Sequence, residues 1–110
     1  MPNKNQLKPA ISYTLTDLVE YAPAAIVSRT IQKSHAGSIT LFAFAAGQEL
    51  SEHTAPYDAW VQVLDGDGTF IIGNETVKSG IGKILFMPAD VPHAVIATNN
   101  FKMILTMVRE

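Results

Sequence analysis

The sequence predicts an all-β fold, a small antiparallel sandwich or barrel with one short helical turn near its N-terminus. Three observations carry this. Glycine, proline, asparagine and aspartate recur at short, regular intervals between extended apolar segments, which is the pattern of an antiparallel β domain. Only residues 16–21 carry a helical signal. The chain has 110 residues, 47% of them apolar and 16% charged, so residues 1–110 form one domain with a well-filled core.

Residues 1–12, with Pro2 and Pro9, read as a polar arm. Thr16 to Tyr21 reads as a helical turn capped by Thr16 or Asp17 and stopped by Pro23. The barrel then occupies residues 25–108. Ala25–Lys33 is extended, and residues 35–38 turn into a strand over Ile39–Ala45. After a turn at Gly47, Glu49–Ala55 runs extended to Pro56. Trp60–Leu64 ends in Asp65-Gly66-Asp67-Gly68, which lacks the ligand array of a calcium loop and reads as a hairpin turn. Thr69–Ile72 pairs with Thr76–Lys78 through Gly73-Asn74. Lys83–Met87 stops at Pro88, and His93–Ala97 and Phe101–Val108 complete the set.

The last strand places Phe101, Met103, Leu105 and Met107 on a core face, opposite Lys102, Ile104, Thr106 and Val108. Ile39–Ala45 is apolar on both faces and asks for cover on both. A second copy of the chain is the expected cover, hence a homodimer; the alternative is that the N-terminal segment folds back over that face. Trp60 reads as core or interface. Phe42, Phe44, Phe70, Phe86 and Phe101 read as barrel filling.

Composition narrows function. The formal net charge is −2 and the basic residues are scattered, which argues against nucleic acid or an anionic membrane as partner. The absence of cysteine removes disulfides, thiolate nucleophiles and thiolate metal sites. The N-terminal stretch has no apolar signal region, and the apolar runs are short of a membrane span, so a cytoplasmic location is expected. No nucleophile elbow or phosphate loop is present.

Three histidines remain. His35 lies in a turn and reads as a solvated loop residue. His53 lies on an extended segment, and His93 opens a strand after Pro88-Ala89-Asp90-Val91-Pro92. Their surroundings resemble the two motifs of the cupin superfamily, in its small single-domain conserved-barrel branch. The first motif, G-x5-H-x-H-x3,4-E-x6-G, is matched by Gly47, His53 and Gly66, with Ala55 and Ala59 in the second His and Glu positions. The second, G-x5-P-x-G-x2-H-x3-N, is matched by Gly82, Pro88 and His93, with Asp90 and Ala97 in the inner Gly and Asn positions. The resemblance spans residues 38–108. It implies a jelly-roll (double-stranded β-helix) barrel, commonly dimeric, with the motif histidines inward. It also implies one divalent metal on three His and one Glu, or four His, of which this chain retains His53 and His93.

A catalytic zinc or iron site needs about three protein ligands, and two imidazoles fall one short. Asp58, Tyr57 and Gln62 are candidates for a third; Met103 or Met107 would suit Cu(I). No cofactor is therefore the first expectation, with a divalent transition metal on His53 and His93 as the alternative. The leading expectation for function is a binding barrel whose pocket is lined by His53, Ala55, Ala59, Val61, Phe86, His93, Met103 and Leu105. It would hold a small, partly apolar organic molecule carrying an anionic or carbonyl group. The competing readings are a metal-dependent oxygenase or isomerase, and a metal-free enzyme using one histidine as general acid or base.

Overall fold

The structure is a computed structural model that describes residues 7–109; the first half of the expected polar arm lies outside the described residues. Nine strands follow a single 3-10 turn. They are β1 (Ile26–Ser34), β2 (Gly37–Phe44), β3 (Glu49–His53), β4 (Asp58–Asp65), β5 (Asp67–Ile72), β6 (Glu75–Gly80), β7 (Ile84–Met87), β8 (His93–Ile96) and β9 (Phe101–Val108). All pairings between these strands are antiparallel. One sheet runs β1-β2-β9-β4-β7 and the other β3-β8-β5-β6, the two layers of a jelly roll.

Alternation along each strand decides what lies between the layers. Phe42 and Phe44 on β2, Ala59, Val61 and Val63 on β4, and Phe101, Met103, Leu105 and Met107 on β9 belong to one core cluster. From the second sheet, Leu50, Phe70, Ile72 and Val95 meet them. Phe101 stacks on Phe44 at 4.6 Å between ring centroids and meets Phe70 edge-on at 6.1 Å. The three rings are fully buried. The core face expected on β9 and the inward aromatics of β2 are as the sequence predicts.

Two connections differ from expectation. The β5–β6 hairpin turns through Gly73-Asn74 as predicted, but residues 65–68 are no hairpin. β4 and β5 belong to different sheets, and Gly66 (φ 66°) is the corner where the chain passes between layers. The 3-10 turn covers Leu15–Asp17, with Thr14 in the capping position and no side-chain cap, so neither Thr16 nor Asp17 serves as N-cap.

The outer face of the five-stranded sheet has two halves. Over Leu41 and Ala43 of β2 the N-terminal segment folds back, seating Leu18, Val19 and Tyr21 in a second apolar cluster. This cover answers the two-faced apolar pattern of β2. Two cations of the sheet bind it down: Lys102 Nζ donates to the Thr16 carbonyl (2.6 Å) and Arg29 Nη1 to the Leu18 carbonyl (3.1 Å). These are carbonyls at the end of the 3-10 turn that lack partners within it. Lys102 is buried beneath the Tyr21 ring, 4.9 Å from its centroid, and Tyr21 donates to the Asp65 carboxylate (2.7 Å). Burial, then the hydrogen bond and the charge of Asp65, push the Tyr21 hydroxyl well above the usual tyrosine range. Tyr21→Phe keeps the ring over Lys102 but leaves Asp65 without that donor. Urea unfolding at neutral pH should show a loss of about 1–2 kcal/mol.

Among the described residues the other half of this face has no such cover. Trp60 of β4 and Phe86 of β7 are directly paired, stack at 4.5 Å and stand 40% and 39% exposed. Ile84 beside them is more exposed still.

Candidate functional site

His53 and His93 are cross-strand partners, the last residue of β3 and the first of β8. Their shared face follows from an irregularity in β3. Leu50 pairs with Val95 and His53 with His93, so β3 places three steps where β8 places two. This bulge restores both Leu50 and His53 to the inner side, where strict alternation would set one of them outward. The rings meet edge to face at 4.3 Å between centroids. His93 is buried at 7% exposure, whereas His53 is exposed at the barrel mouth.

Backbone carbonyls decide the tautomer of both rings. His53 Nδ1 lies 2.8 Å from the Ser51 oxygen and His93 Nδ1 3.2 Å from the Val91 oxygen. A carbonyl only accepts, so each Nδ1 carries the proton and, in the neutral ring, each Nε2 presents a lone pair. Among the described residues no protein group hydrogen-bonds either Nε2. Burial pushes the His93 imidazole below its ordinary 6.5; the Val91 hydrogen bond opposes the shift and the neighbouring His53 adds to it. His93 is thus a neutral acceptor at neutral pH.

That shift fixes a stability prediction. Below pH 6.5 the unfolded chain takes a proton that the folded His93 does not, so stability falls as pH drops and levels off below the folded value. The slope in that window is at most about 1.4 kcal/mol per pH unit. Urea unfolding at pH 7.5 and 5.5 should show a smaller difference between the two pH values in His93→Gln than in the wild type.

The other expected pocket residues divide. Ala59, Val61 and Met103 face inward but are packed into the core at 3% exposure or less, and Leu105 packs against it. Ala55 lies beyond the end of β3, in the β3–β4 connection, where its carbonyl accepts the Asp90 N–H (2.9 Å). That bond ties together the two loops flanking the histidines. Asp90, in the inner Gly position of the second motif, has φ 64°, the left-handed conformation that position demands and that aspartate tolerates better than most residues. Phe86 is a correction. It points to the outer face against Trp60, because its neighbour Met87 takes the inward place beside Ala59.

The candidates for a third divalent-metal ligand are engaged elsewhere. Asp58 Oδ1 accepts the Ala89 N–H (3.0 Å), Tyr57 lies under the Arg109 guanidinium, and Gln62 is exposed on the outer side with Trp60. Among the described residues no three His, Cys, Asp or Glu side chains form a group that could hold a metal ion. The residues present therefore do not fit the family's divalent metal. Sequence reasoning missed Met87, whose strand is apolar at every position and gives no alternation to read. It also missed the clasp of Tyr21, Asp65 and Lys102, whose partners lie far apart in sequence.

A two-layer jelly roll with inward histidines on its third and eighth strands defines a cupin-type barrel. The chain belongs to the cupin family: the model described as "Cupin domain" matches residues 40–109. It is similar over its whole length to a conserved protein of unknown function from Streptococcus pyogenes, with 34% identity, 96% of that chain covered and a TM-score of 0.92. A cupin 2 conserved barrel domain protein from Leptotrichia buccalis is 37% identical over 88% of this chain, TM-score 0.86. This chain spans 47% of that protein. A cupin superfamily protein from Desulfitobacterium hafniense, at 24% identity, shares the fold over the full length of both chains with a TM-score of 0.90. None of the curated proteins compared with the chain matches it.

Proposed function

We propose that this protein is a binding barrel that takes a small organic molecule at the mouth, on the Nε2 atoms of His53 and His93. The observation that supports this is the tautomer: each imidazole donates its Nδ1 hydrogen to a backbone carbonyl, and no described residue hydrogen-bonds the lone pair left on Nε2. Two Nε2 acceptors at this spacing select a ligand by its donors, such as the paired hydroxyls of a catechol or an enediol. This revises the anionic or carbonyl ligand expected for an apolar pocket with two imidazoles, since an anion or a carbonyl offers such a site only further acceptors. The filled interior keeps the ligand at the mouth, where exposed His53 gives access.

Histidine side-chain nitrogen spectra of untagged protein at pH 7.5 test the reading, with catechol as probe and acetate as control. Catechol should move both Nε2 resonances, and His53→Ala should abolish the effect at His93. Acetate binding without catechol binding, or neither, overturns the proposal.

We also infer a homodimer acting in the cytoplasm, where a cysteine-free chain needs no oxidising environment. No helix among the described residues is long and apolar enough to cross a membrane. The stacked Trp60–Phe86 pair is the surface a second copy would cover. Sedimentation of Trp60→Lys beside the wild type checks this, and equal masses for the two would refute it.

A further inference from the structure

Pro56, Asp58, Ala89, Val108 and Arg109 line a cleft of about 270 Å³ at the rim of the five-stranded sheet. Asp58 opens β4 and is the cross-strand partner of Val108 on β9. Alternation along β4 sets Asp58 on the side of Trp60, opposite the inward Ala59. The cleft therefore belongs to the outer face and not to the barrel interior, and neither His53 nor His93 lines it.

Both charged residues of the cleft are held from behind. Arg109 donates its backbone N–H to the Ala36 carbonyl (2.9 Å), which continues the β2–β9 ladder one residue past Val108. Its guanidinium lies over the Tyr57 ring, 5.5 Å from the centroid. Asp58 Oδ1 accepts the Ala89 N–H (3.0 Å), while no described residue hydrogen-bonds Oδ2. The two charges do not pair with each other, and among the described residues neither forms an ion pair elsewhere. A guanidinium and a carboxylate that share one small cleft without touching leave space for a ligand between them. The remaining walls, Pro56, Ala89 and Val108, are apolar.

The complement of this arrangement is a small zwitterion. The flat fork of a guanidinium takes a carboxylate through two parallel hydrogen bonds. Asp58 Oδ2 takes an ammonium, and the apolar walls take a short aliphatic side chain. A simple anion or a simple cation would satisfy one charge and be repelled by the other. An α-amino acid carries all three groups within a few bonds. We propose that this cleft is a second binding site, separate from the histidine pair, and that it takes a free aliphatic α-amino acid. The ligand carboxylate lies on Arg109 and its ammonium on Asp58.

Backbone amide spectra of the untagged protein titrated with L-valine test this. Isovalerate and isobutylamine are the controls, because each keeps the alkyl group of valine and one of its two charges. Valine should shift the amides of Asp58, Ala89 and Arg109 and saturate in the range of about 1 mM. Each control should bind at least about tenfold more weakly. Arg109→Gln and Asp58→Asn should each weaken valine at least about fivefold. Arg109 is exposed, and asparagine at 58 keeps an oxygen for the Ala89 N–H, so neither change removes a buried contact. No shift with valine, equal binding of either control, or unchanged affinity in either variant would overturn the zwitterion site. Shifts confined to His53 and His93 would overturn it too, by placing valine at the mouth. Because the cleft and the histidine pair share no residue, its failure leaves the catechol reading standing.

Discussion

Phe101→Ala should lower the stability of this barrel by about 3–5 kcal/mol, the range for removing a fully buried aromatic ring from a core that cannot collapse around the gap. Phe101 has no exposure, stacks on Phe44 from its own sheet and meets Phe70 from the other. It is therefore the ring through which the two layers touch. Opposite it stands Gly68 of β5. A Cβ built there would lie 2.6 Å from the tip of the Phe101 ring, so the ring occupies the space that any side chain at 68 would need. Shrinking the ring to a methyl leaves a hole bounded by two sheets whose spacing is set by their other contacts. Chemical denaturation at neutral pH should show the loss as a lower midpoint at unchanged slope. Phe101→Leu, which keeps part of the volume, should lose less. A loss under about 1 kcal/mol for the alanine variant would mean that the layers close over the gap.

The second large effect is expected at the corner between the layers. Gly66→Ala places a side chain on a left-handed residue (φ 66°), and its Cβ would collide with the Asn100 carbonyl oxygen. The conformational cost is about 1–2 kcal/mol, and the displaced backbone adds a further 1–3 kcal/mol or so, as overpacking does. Relief cannot come from rotating a neighbour, because the obstacle is main chain that leads directly into Phe101. The expected total is about 2–5 kcal/mol. A left-handed position alone is not the whole cause: Gly47 (φ 89°) has nothing within 4 Å of a built Cβ. Gly47→Ala should cost only the conformational part, and the gap between the two variants measures the collision at the corner.

Much of the architecture was legible because turns and alternation act locally. Every extended segment read from the spacing of Gly, Pro, Asn and Asp is a strand in the structure, with ends shifted by a few residues. The inward face of β9 was legible because Lys102 and Thr106 mark its other side. Facing was illegible wherever a strand is apolar throughout. Ile84–Met87 offers no polar residue to set its phase, and only pairing with β4 decides that Met87 turns in and Phe86 out. The corner at Gly66 looked like a hairpin because a glycine between aspartates makes a turn in either setting. Which strands it joins depends on distant partners. The site was half visible. The spacing of Gly47, His53, Pro88 and His93 pointed to the histidine pair. The tautomers rest on carbonyls only two residues away, set by a local backbone course that the residue types do not reveal, and the basic clasp on the N-terminal segment depends on contacts between residues far apart along the chain.

The bulge in β3 carries a consequence for how such a site is inherited. His53 meets His93 because three residue steps on one strand match two on the other. The site therefore has a reading frame. Removing one residue between Leu50 and His53 would leave every site residue in the sequence and every other strand intact, yet turn the imidazole away from its partner. A relative could keep both histidines and lose the pair through a change in length alone. Conversely, an insertion of one residue in a barrel with an idle histidine at this place could create the pair in a single step. At this mouth, chemistry is written in the count of residues as much as in their kinds.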